Sequence, residues 1–205
     1  MKIMFVCTGN TCRSSMAEAL ARDMVARRGL QGEIEVFSAG IAALPGSEAS
    51  PQAVEVMEEM GLDLRSHRAT LLTRRDLEEA DLVLTMTESH KRLIREQAPD
   101  LAGKIFTLSE YAGRGGDIPD PFGGPVDVYR QCAGELRYLI SLALDRLVAE
   151  KAGSPHAGPG PEETPPAGER NADPDSKGPS PAQQSPGETP PAGGYDEGRG
   201  RPEPA

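Results

Sequence analysis

Short apolar segments alternate along the chain with longer segments in which apolar residues recur every three or four positions. Residues 3–6 form an apolar run typical of a strand that is buried on both faces. After a turn cluster, Met16, Leu20 and Met24 keep helical spacing. The same criteria predict strands at 34–37, 82–86 and 104–108, and helices at 14–28, 51–60, 88–97 and 126–149.

This alternation of strands and helices is typical of βαβ units. It predicts an α/β fold, built as a small doubly wound sheet of four parallel strands with helices on both faces. Ligands of such sheets bind beyond the carboxyl ends of the strands. We therefore expect the binding site in the loop that follows the first strand.

The composition changes sharply near residue 153. Residues 153–205 contain no Val, Ile, Leu, Met, Phe, Trp or Cys, but they hold 13 of the 19 prolines and 10 of the 23 glycines. Such a segment cannot bury enough apolar surface to offset its chain entropy. The sequence thus predicts one folded domain at residues 1–152 and a disordered, acidic, Pro/Gly-rich tail at residues 153–205.

Charge, the N-terminal segment and the cysteine and histidine content indicate which partners, location and cofactors to expect. The net charge of −10 and a pI near 4.9 disfavour nucleic acids and anionic membranes as partners. The N-terminal apolar run is too short for a transmembrane helix and lacks a signal-peptide cleavage region, so we expect a cytoplasmic protein. Three sparse cysteines indicate reduced thiols. The histidines are far apart, which predicts surface or packing roles for them, with no metal site and no cofactor.

The loop from Cys7 to Ser14 joins the first strand to the first helix and has the composition of an anion site. Amide groups at a helix N-terminus can converge on a phosphoryl group, and Arg13 would add a planar, charged donor fork. The same positive field favours the thiolate form of Cys7, which is a nucleophile. Cys-x5-Arg is a loose pattern, however, and a cysteine at a strand end is often only a small apolar residue.

Other residues of this loop suit the same chemistry. Gly9 would let the backbone fold under an anion, and Asn10 tolerates left-handed dihedral angles. The Ser14 hydroxyl can donate a hydrogen bond to the Cys7 sulfur and stabilise it as attacking and as leaving group. The loop is not a nucleotide-binding P-loop, because the Gly-Lys-Ser/Thr ending is absent.

A phosphorylated cysteine requires an acid to protonate the leaving group. Residues 117–124 form an acidic Pro/Gly loop between the fourth strand and the last helix. Of its two carboxylates we favour Asp120 over Asp117, because Pro121 holds Asp120 in extended backbone and Phe122 can wall the pocket. The alternative is a turn without a functional role.

The sequence resembles a known family, the low-molecular-weight protein tyrosine phosphatases. Within that family it is most similar to the bacterial protein arginine phosphatases. The resemblance covers about residues 1–150. It depends on residues 6–14 (VCTGNTCRS), 16–18 (MAE), 38–40 (SAG) and 120–124 (DPFGG).

The resemblance implies a flavodoxin-like sheet and a role for each matching residue. Cys7 would be the nucleophile, Arg13 the phosphate clamp and Asp120 the general acid. Supporting hydrogen bonds would come from Asn10, Ser14 and His67. The implied substrate-binding residues are Thr8, Gly9, Asn10, Thr11, Cys12, Ser14 and Phe122.

Two positions depart from the family pattern. Thr87 stands where tyrosine-specific members often carry aspartate, and Ser15 stands where proline is common. The first departure weakens a tyrosine assignment. Thr11 also weakens a tyrosine assignment, because it would make the pocket wall polar, whereas an aliphatic residue would suit a phenyl ring.

The resulting prediction is a protein arginine phosphatase that acts on phosphorylated proteins through a cysteinyl-phosphate intermediate. Three alternatives stay open: a tyrosine phosphatase with the same machinery, an arsenate reductase, and a non-catalytic anion-binding adaptor. A reductase needs further cysteines to pass on a disulfide, and none lies between Cys12 and Cys132. No sequence feature indicates an oligomeric state.

Overall fold

Four parallel strands lie side by side in this computed structural model, which describes residues 1–151 and 153. The strands are β1 (Lys2–Cys7), β2 (Glu35–Gly40), β3 (Leu82–Thr85) and β4 (Ile105–Thr107), in the order β2-β1-β3-β4. The predicted sheet is confirmed. β2 extends to Gly40, further than the predicted 34–37, because its last three residues pair with the end of β1.

The helices also follow the prediction, with three additions. Within the described part of the chain they are α1 (Arg13–Arg27), α2 (Pro51–Glu59), α3 (Arg74–Glu79), α4 (Glu88–Gln97), α5 (Leu108–Tyr111), α6 (Val126–Lys151) and a 3₁₀ helix (Pro99–Lys104). The pattern missed α3, α5 and the 3₁₀ helix, which are too short to show a period. Thr73 and Thr107 nevertheless begin α3 and α5 with capping boxes, a signal that the sequence does contain.

Successive residues of β1 point into two different cores. Ile3 and Phe5 pack with α1, α2, α5 and α6 on one face of the sheet. Met4 and Val6 pack with α3 and α4 on the other face. Helices therefore cover both faces, as predicted, and β1 is buried between two layers.

The site at the end of β1 lies where the strand order reverses. The chain passes from β1 to β2 on one side and later returns to β3 on the other side. This switch leaves a crevice at the carboxyl ends of the strands, the usual binding position in such sheets. The fold thus places the loop after Cys7 at the expected binding edge.

All described residues belong to one compact unit. None of the helices in residues 1–151 combines the length and the apolar character needed to cross a membrane. The predicted disordered tail, 153–205, lies outside the described residues apart from Gly153, whose N–H donates to the Glu150 carbonyl at 3.2 Å. The predicted boundary after residue 152 stays a prediction.

Candidate active site

Cys7 is the last residue of β1, and its sulfur is the centre of a hydrogen-bonded loop. The residue is 3% exposed. Its Sγ atom lies 3.0 Å from the Ser14 hydroxyl and accepts from the Asn10 N–H at 3.3 Å. When Cys7 is a thiolate, the Ser14 hydroxyl is necessarily the donor. The predicted contact between Ser14 and Cys7 is thus present, and both bonds stabilise a thiolate.

The N-terminus of α1 is open to an anion. Cys12 occupies the N-cap position without a side-chain hydrogen bond, and the first turn contains no acidic residue. The first-turn amides therefore keep their partial positive charge. This charge adds to the Arg13 guanidinium at the same end of the helix.

Asn10 holds the loop from behind. Its φ of 57° is left-handed, as predicted, and its Oδ1 accepts from the Thr70 N–H at 2.8 Å. The Asn10 amide donates to Ser14 and Ser38 at 2.8 Å each. His67 donates from Nε2 to the Asn10 carbonyl at 2.7 Å, the supporting contact that the resemblance implies. Ser38 belongs to the matching segment 38–40 but was not predicted as a site residue, and its hydroxyl donates to Glu18 at 2.5 Å to continue the network.

Gly40 is a point of close backbone approach to the loop, whereas the role of Gly9 under a bound anion stays a prediction. A Cβ at Gly9 would meet only Thr11 Oγ1, at an ordinary 3.6 Å, and the left-handed residue is Asn10. At Gly40, by contrast, a Cβ would lie 2.6 Å from the Thr8 carbonyl oxygen and 2.9 Å from the Asn10 nitrogen. The close approach of β2 to the loop therefore requires Gly40.

Arg13 is buried, and two of its three nitrogens are occupied. Nη1 donates to the Ile118 carbonyl at 3.1 Å, and Nη2 donates to Asp120 at 2.6 Å. The buried Nε–H has no hydrogen-bond partner. A buried, charged group with an unused donor is arranged to bind an anion.

The two carboxylates of the acid loop, residues 117–124, lie in different places. Asp117 accepts from the Glu88 N–H at the start of α4, at 2.8 Å. Asp120 pairs with Arg13 at 2.6 Å, and its side chain is 48% exposed. Phe122 lies at the rim, 77% exposed, and its N–H donates to Asp120 at 3.3 Å. Asp120 is thus the carboxylate that faces the nucleophile's loop, and Asp117 anchors the acid loop.

A cavity of about 220 Å³ joins these groups. Its walls are Cys7, Thr8, Gly9, Thr11, Cys12, Arg13, Asp120 and Phe122. Eight of the eleven predicted site residues therefore line this cavity. The other three, Asn10, Ser14 and His67, support the loop from the side away from the cavity. Larger cavities of about 590 and 650 Å³ lie elsewhere on the protein, and neither contains Cys7 or Asp120.

Cys12 is held in place by two residues that the sequence analysis missed. Its sulfur lies 3.4 Å from the Ser50 hydroxyl and 3.4 Å from the Tyr129 hydroxyl. Burial, together with the contact to Cys12, raises the pKa of Tyr129 to about 12, so this phenol stays protonated. No local pattern links Cys12 to a helix residue more than 100 positions away.

The prediction that the histidines have only surface or packing roles is wrong for His67 and also for His90. His90 lies in the first turn of α4, is 6% exposed, and its Nε2 is 2.9 Å from the Thr8 hydroxyl. Burial, and next the charge of Arg13, lowers the pKa of His90 below its ordinary value. Among the described residues, no three His, Cys, Asp or Glu side chains gather as a metal site.

Comparison with known proteins places this geometry in a family. Residues 2–152 match the model of the low molecular weight phosphotyrosine protein phosphatases. A protein-arginine-phosphatase of Bacillus subtilis is 48% identical over 141 residues, which are 68% of this chain and 92% of that protein. The low molecular weight protein-tyrosine-phosphatase PtpB of Staphylococcus haemolyticus is 44% identical over 140 residues, which are 68% of this chain and 95% of that protein.

The fold of a solved relative agrees as well. A YwlE arginine phosphatase mutant with a phosphorylated active site serine superposes with a TM-score of 0.68 at 45% identity, covering 74% of this chain and 97% of that one. The match extends over almost the whole length of each relative. The chain belongs to the low molecular weight phosphotyrosine protein phosphatase family and is a phosphatase.

Proposed function

We propose that this phosphatase is a protein arginine phosphatase, with Cys7 as nucleophile, Arg13 as phosphate clamp and Asp120 as general acid. The observation that carries the proposal is that Asp120 and Thr11 line the same small cavity as Cys7. Asp120 already accepts a hydrogen bond from one guanidinium, that of Arg13, and its half-exposed side chain has room to accept from a second. Thr11 gives the wall a hydroxyl where a phenyl ring would need apolar contact.

The first chemical step transfers the phosphoryl group to sulfur. The Cys7 thiolate forms a bond to phosphorus while the P–N bond breaks, and its electron pair goes to the guanidinium nitrogen. Asp120 delivers a proton to that nitrogen. The α1 amides and the free Nε–H of Arg13 hold the phosphoryl oxygens.

The second step returns the enzyme to its starting state. Asp120 takes a proton from water, the water oxygen bonds to phosphorus, and the S–P bond breaks to release phosphate. The Ser14 hydroxyl, 3.0 Å from Cys7 Sγ, stabilises the departing thiolate. The phosphorylated serine of the YwlE mutant supports a covalent intermediate at this position.

Two other hypotheses are less well supported. A disulfide-relay reductase would need a further accessible thiol, but Cys132 is 6% exposed and burial raises its pKa to about 12. Tyrosine phosphatase activity uses the same groups and differs only in the leaving group. The polar character of Thr11 and Asp120 favours the guanidinium.

The substrates would be phosphorylated proteins in the cytosol. Cys7, Cys12 and Cys132 are all free thiols, and the chemistry depends on a reduced Cys7. Fractionation of cells, followed by detection of the native protein, tests the location. Recovery of the protein from an oxidising compartment would overturn it.

The deciding experiment compares catalytic efficiencies on a phosphoarginine peptide and a matched phosphotyrosine peptide at one pH. We expect the phosphoarginine peptide to give the higher kcat/KM. A higher value for phosphotyrosine would establish the alternative. Cys7→Ser is the control: it should abolish turnover but keep phosphate binding, because Arg13 and the loop amides remain.

A further inference from the structure

His90 is a buried, titratable side chain that the proposed mechanism does not use. It belongs to α4, which follows β3, yet it reaches across to the loop after β1. Its Nε2 lies 2.9 Å from the hydroxyl of Thr8, a residue that lines the cavity beside Cys7. A histidine on the opposite layer of the fold is therefore bonded directly to a cavity wall.

The other ring nitrogen defines the direction of this hydrogen bond. Nδ1 of His90 is buried and has no partner. A proton on Nδ1 would leave a buried N–H donor unsatisfied, and unsatisfied donors are rarer in folded proteins than unsatisfied acceptors. The tautomer that fits is Nε2–H, so His90 donates to Thr8.

This direction determines what the Thr8 hydroxyl can do. Because its oxygen accepts from His90, its own hydrogen is available to another acceptor. In residues 1–151 and 153 the Thr8 hydroxyl has no hydrogen-bond partner besides His90. Thr8 lines the cavity that holds the Arg13 guanidinium, where a phosphoryl oxygen would supply the acceptor.

We propose that His90 is a positioning residue that fixes the Thr8 hydroxyl as a hydrogen-bond donor to the phosphoryl group. It acts through Thr8 and does not touch the substrate. The role rests on the proposed phosphoryl site but not on the choice between phosphoarginine and phosphotyrosine, since the donor meets the oxygens common to both. It adds a neutral donor to the amides and to Arg13.

The test measures inhibition by inorganic phosphate and kcat/KM on an aryl phosphate in the full-length chain. Thr8→Val removes the hydroxyl at constant shape, and His90→Leu removes the donor that orients it. Each should weaken phosphate binding by about 10-fold, the loss expected for one hydrogen bond to a charged group. His90→Gln, which can present an amide N–H near the Nε2 position, should restore most of the binding.

The double variant separates positioning from a general structural role. If His90 works through Thr8, then His90→Leu should add no further loss in the Thr8→Val background. Losses that multiply, or a His90→Gln variant no better than His90→Leu, would overturn the proposal. Unchanged phosphate inhibition in Thr8→Val would also overturn it, and this variant at an exposed position does not depend on the packing of His90.

Ser89→Ala, at an exposed position of the same helical turn, is the matched control and should behave like the wild type. Thermal unfolding of every variant shows whether it is folded. The assignment as an arginine phosphatase is tested separately, by the ratio of kcat/KM on phosphoarginine and phosphotyrosine peptides. Phosphate inhibition and aryl phosphate turnover do not depend on that ratio, so either proposal can fail without the other.

Discussion

Gly40→Ala tests whether the phosphate-binding loop has a fixed shape. The new Cβ would lie 2.6 Å from the Thr8 carbonyl oxygen and 2.9 Å from the Asn10 nitrogen, both backbone atoms of the loop. Ordinary contact begins at 3.4 Å, so the loop or β2 must move by about 0.8 Å to make room. A misplacement of about 1 Å near reacting atoms can cost about 100-fold in rate, so we expect kcat/KM to fall by that order.

The assay compares aryl phosphate turnover and phosphate inhibition with urea unfolding of the same variant. Overpacking should lower the free energy of unfolding by about 1–3 kcal/mol and leave the protein folded. Gly134→Ala in α6 is the control: its Cβ meets nothing within 4 Å, so activity should be unchanged and stability should rise by about 0.5–1 kcal/mol. A folded Gly40→Ala enzyme with nearly full activity would refute the reasoning.

Four further changes test single side chains. Thr11→Ile should move the ratio of phosphoarginine to phosphotyrosine efficiency toward phosphotyrosine by about 10- to 200-fold; an unchanged ratio would remove Thr11 as the selector. Asp120→Ala should lower kcat by about 10² to 10⁴, and a larger loss in Asp117→Ala would show that the wrong carboxylate was assigned. Because the pKa of His90 is lowered by burial, the unfolded state binds its proton more readily, and the free energy of unfolding should fall as the pH drops below about 6.5. His90→Gln should show a shallower fall in urea titrations, and equal slopes would contradict the shift. Peroxide should inactivate the enzyme reversibly by oxidising the nucleophile, with Cys12 trapping the product as a disulfide; in Cys12→Ser, thiols should restore less activity, and equal recovery would exclude the trap.

Much of the fold is predictable because local pattern and global architecture agree. The run at 3–6 is apolar on every position, which fits a central strand buried between two layers. The predicted helix 88–97 has the observed bounds, and the structure shows Thr87 capping its start by accepting from the His90 N–H. The β2 end was not predictable, since Ser38, Ala39 and Gly40 become a strand only through pairing with β1.

The site also has a part that could be predicted from the sequence and a part that could not. The loop from Cys7 to Ser14 is continuous in sequence, so its chemistry could be inferred from neighbours. The partners that arrive from other elements could not: His90 meets Thr8 across 82 positions, and Tyr129 meets Cys12 across 117. Their contacts are set by how helices pack on the sheet, which residue spacing alone does not specify. The left-handed φ of Asn10, which its residue type favours, agrees with the prediction.

The position of Cys7 at the end of the central strand has a consequence for motion. Cys7 is in register with Gly40, and its carbonyl accepts from the Ile41 N–H at 3.0 Å, so the backbone at the nucleophile opens only when the sheet itself comes apart. Amide hydrogen exchange there should follow global unfolding. The tip of the acid loop is more open, because the Asp120 side chain is 48% exposed and Phe122 is 77% exposed, so this tip can move locally at lower cost. Product can therefore leave by a local fluctuation of one loop while the nucleophile stays fixed.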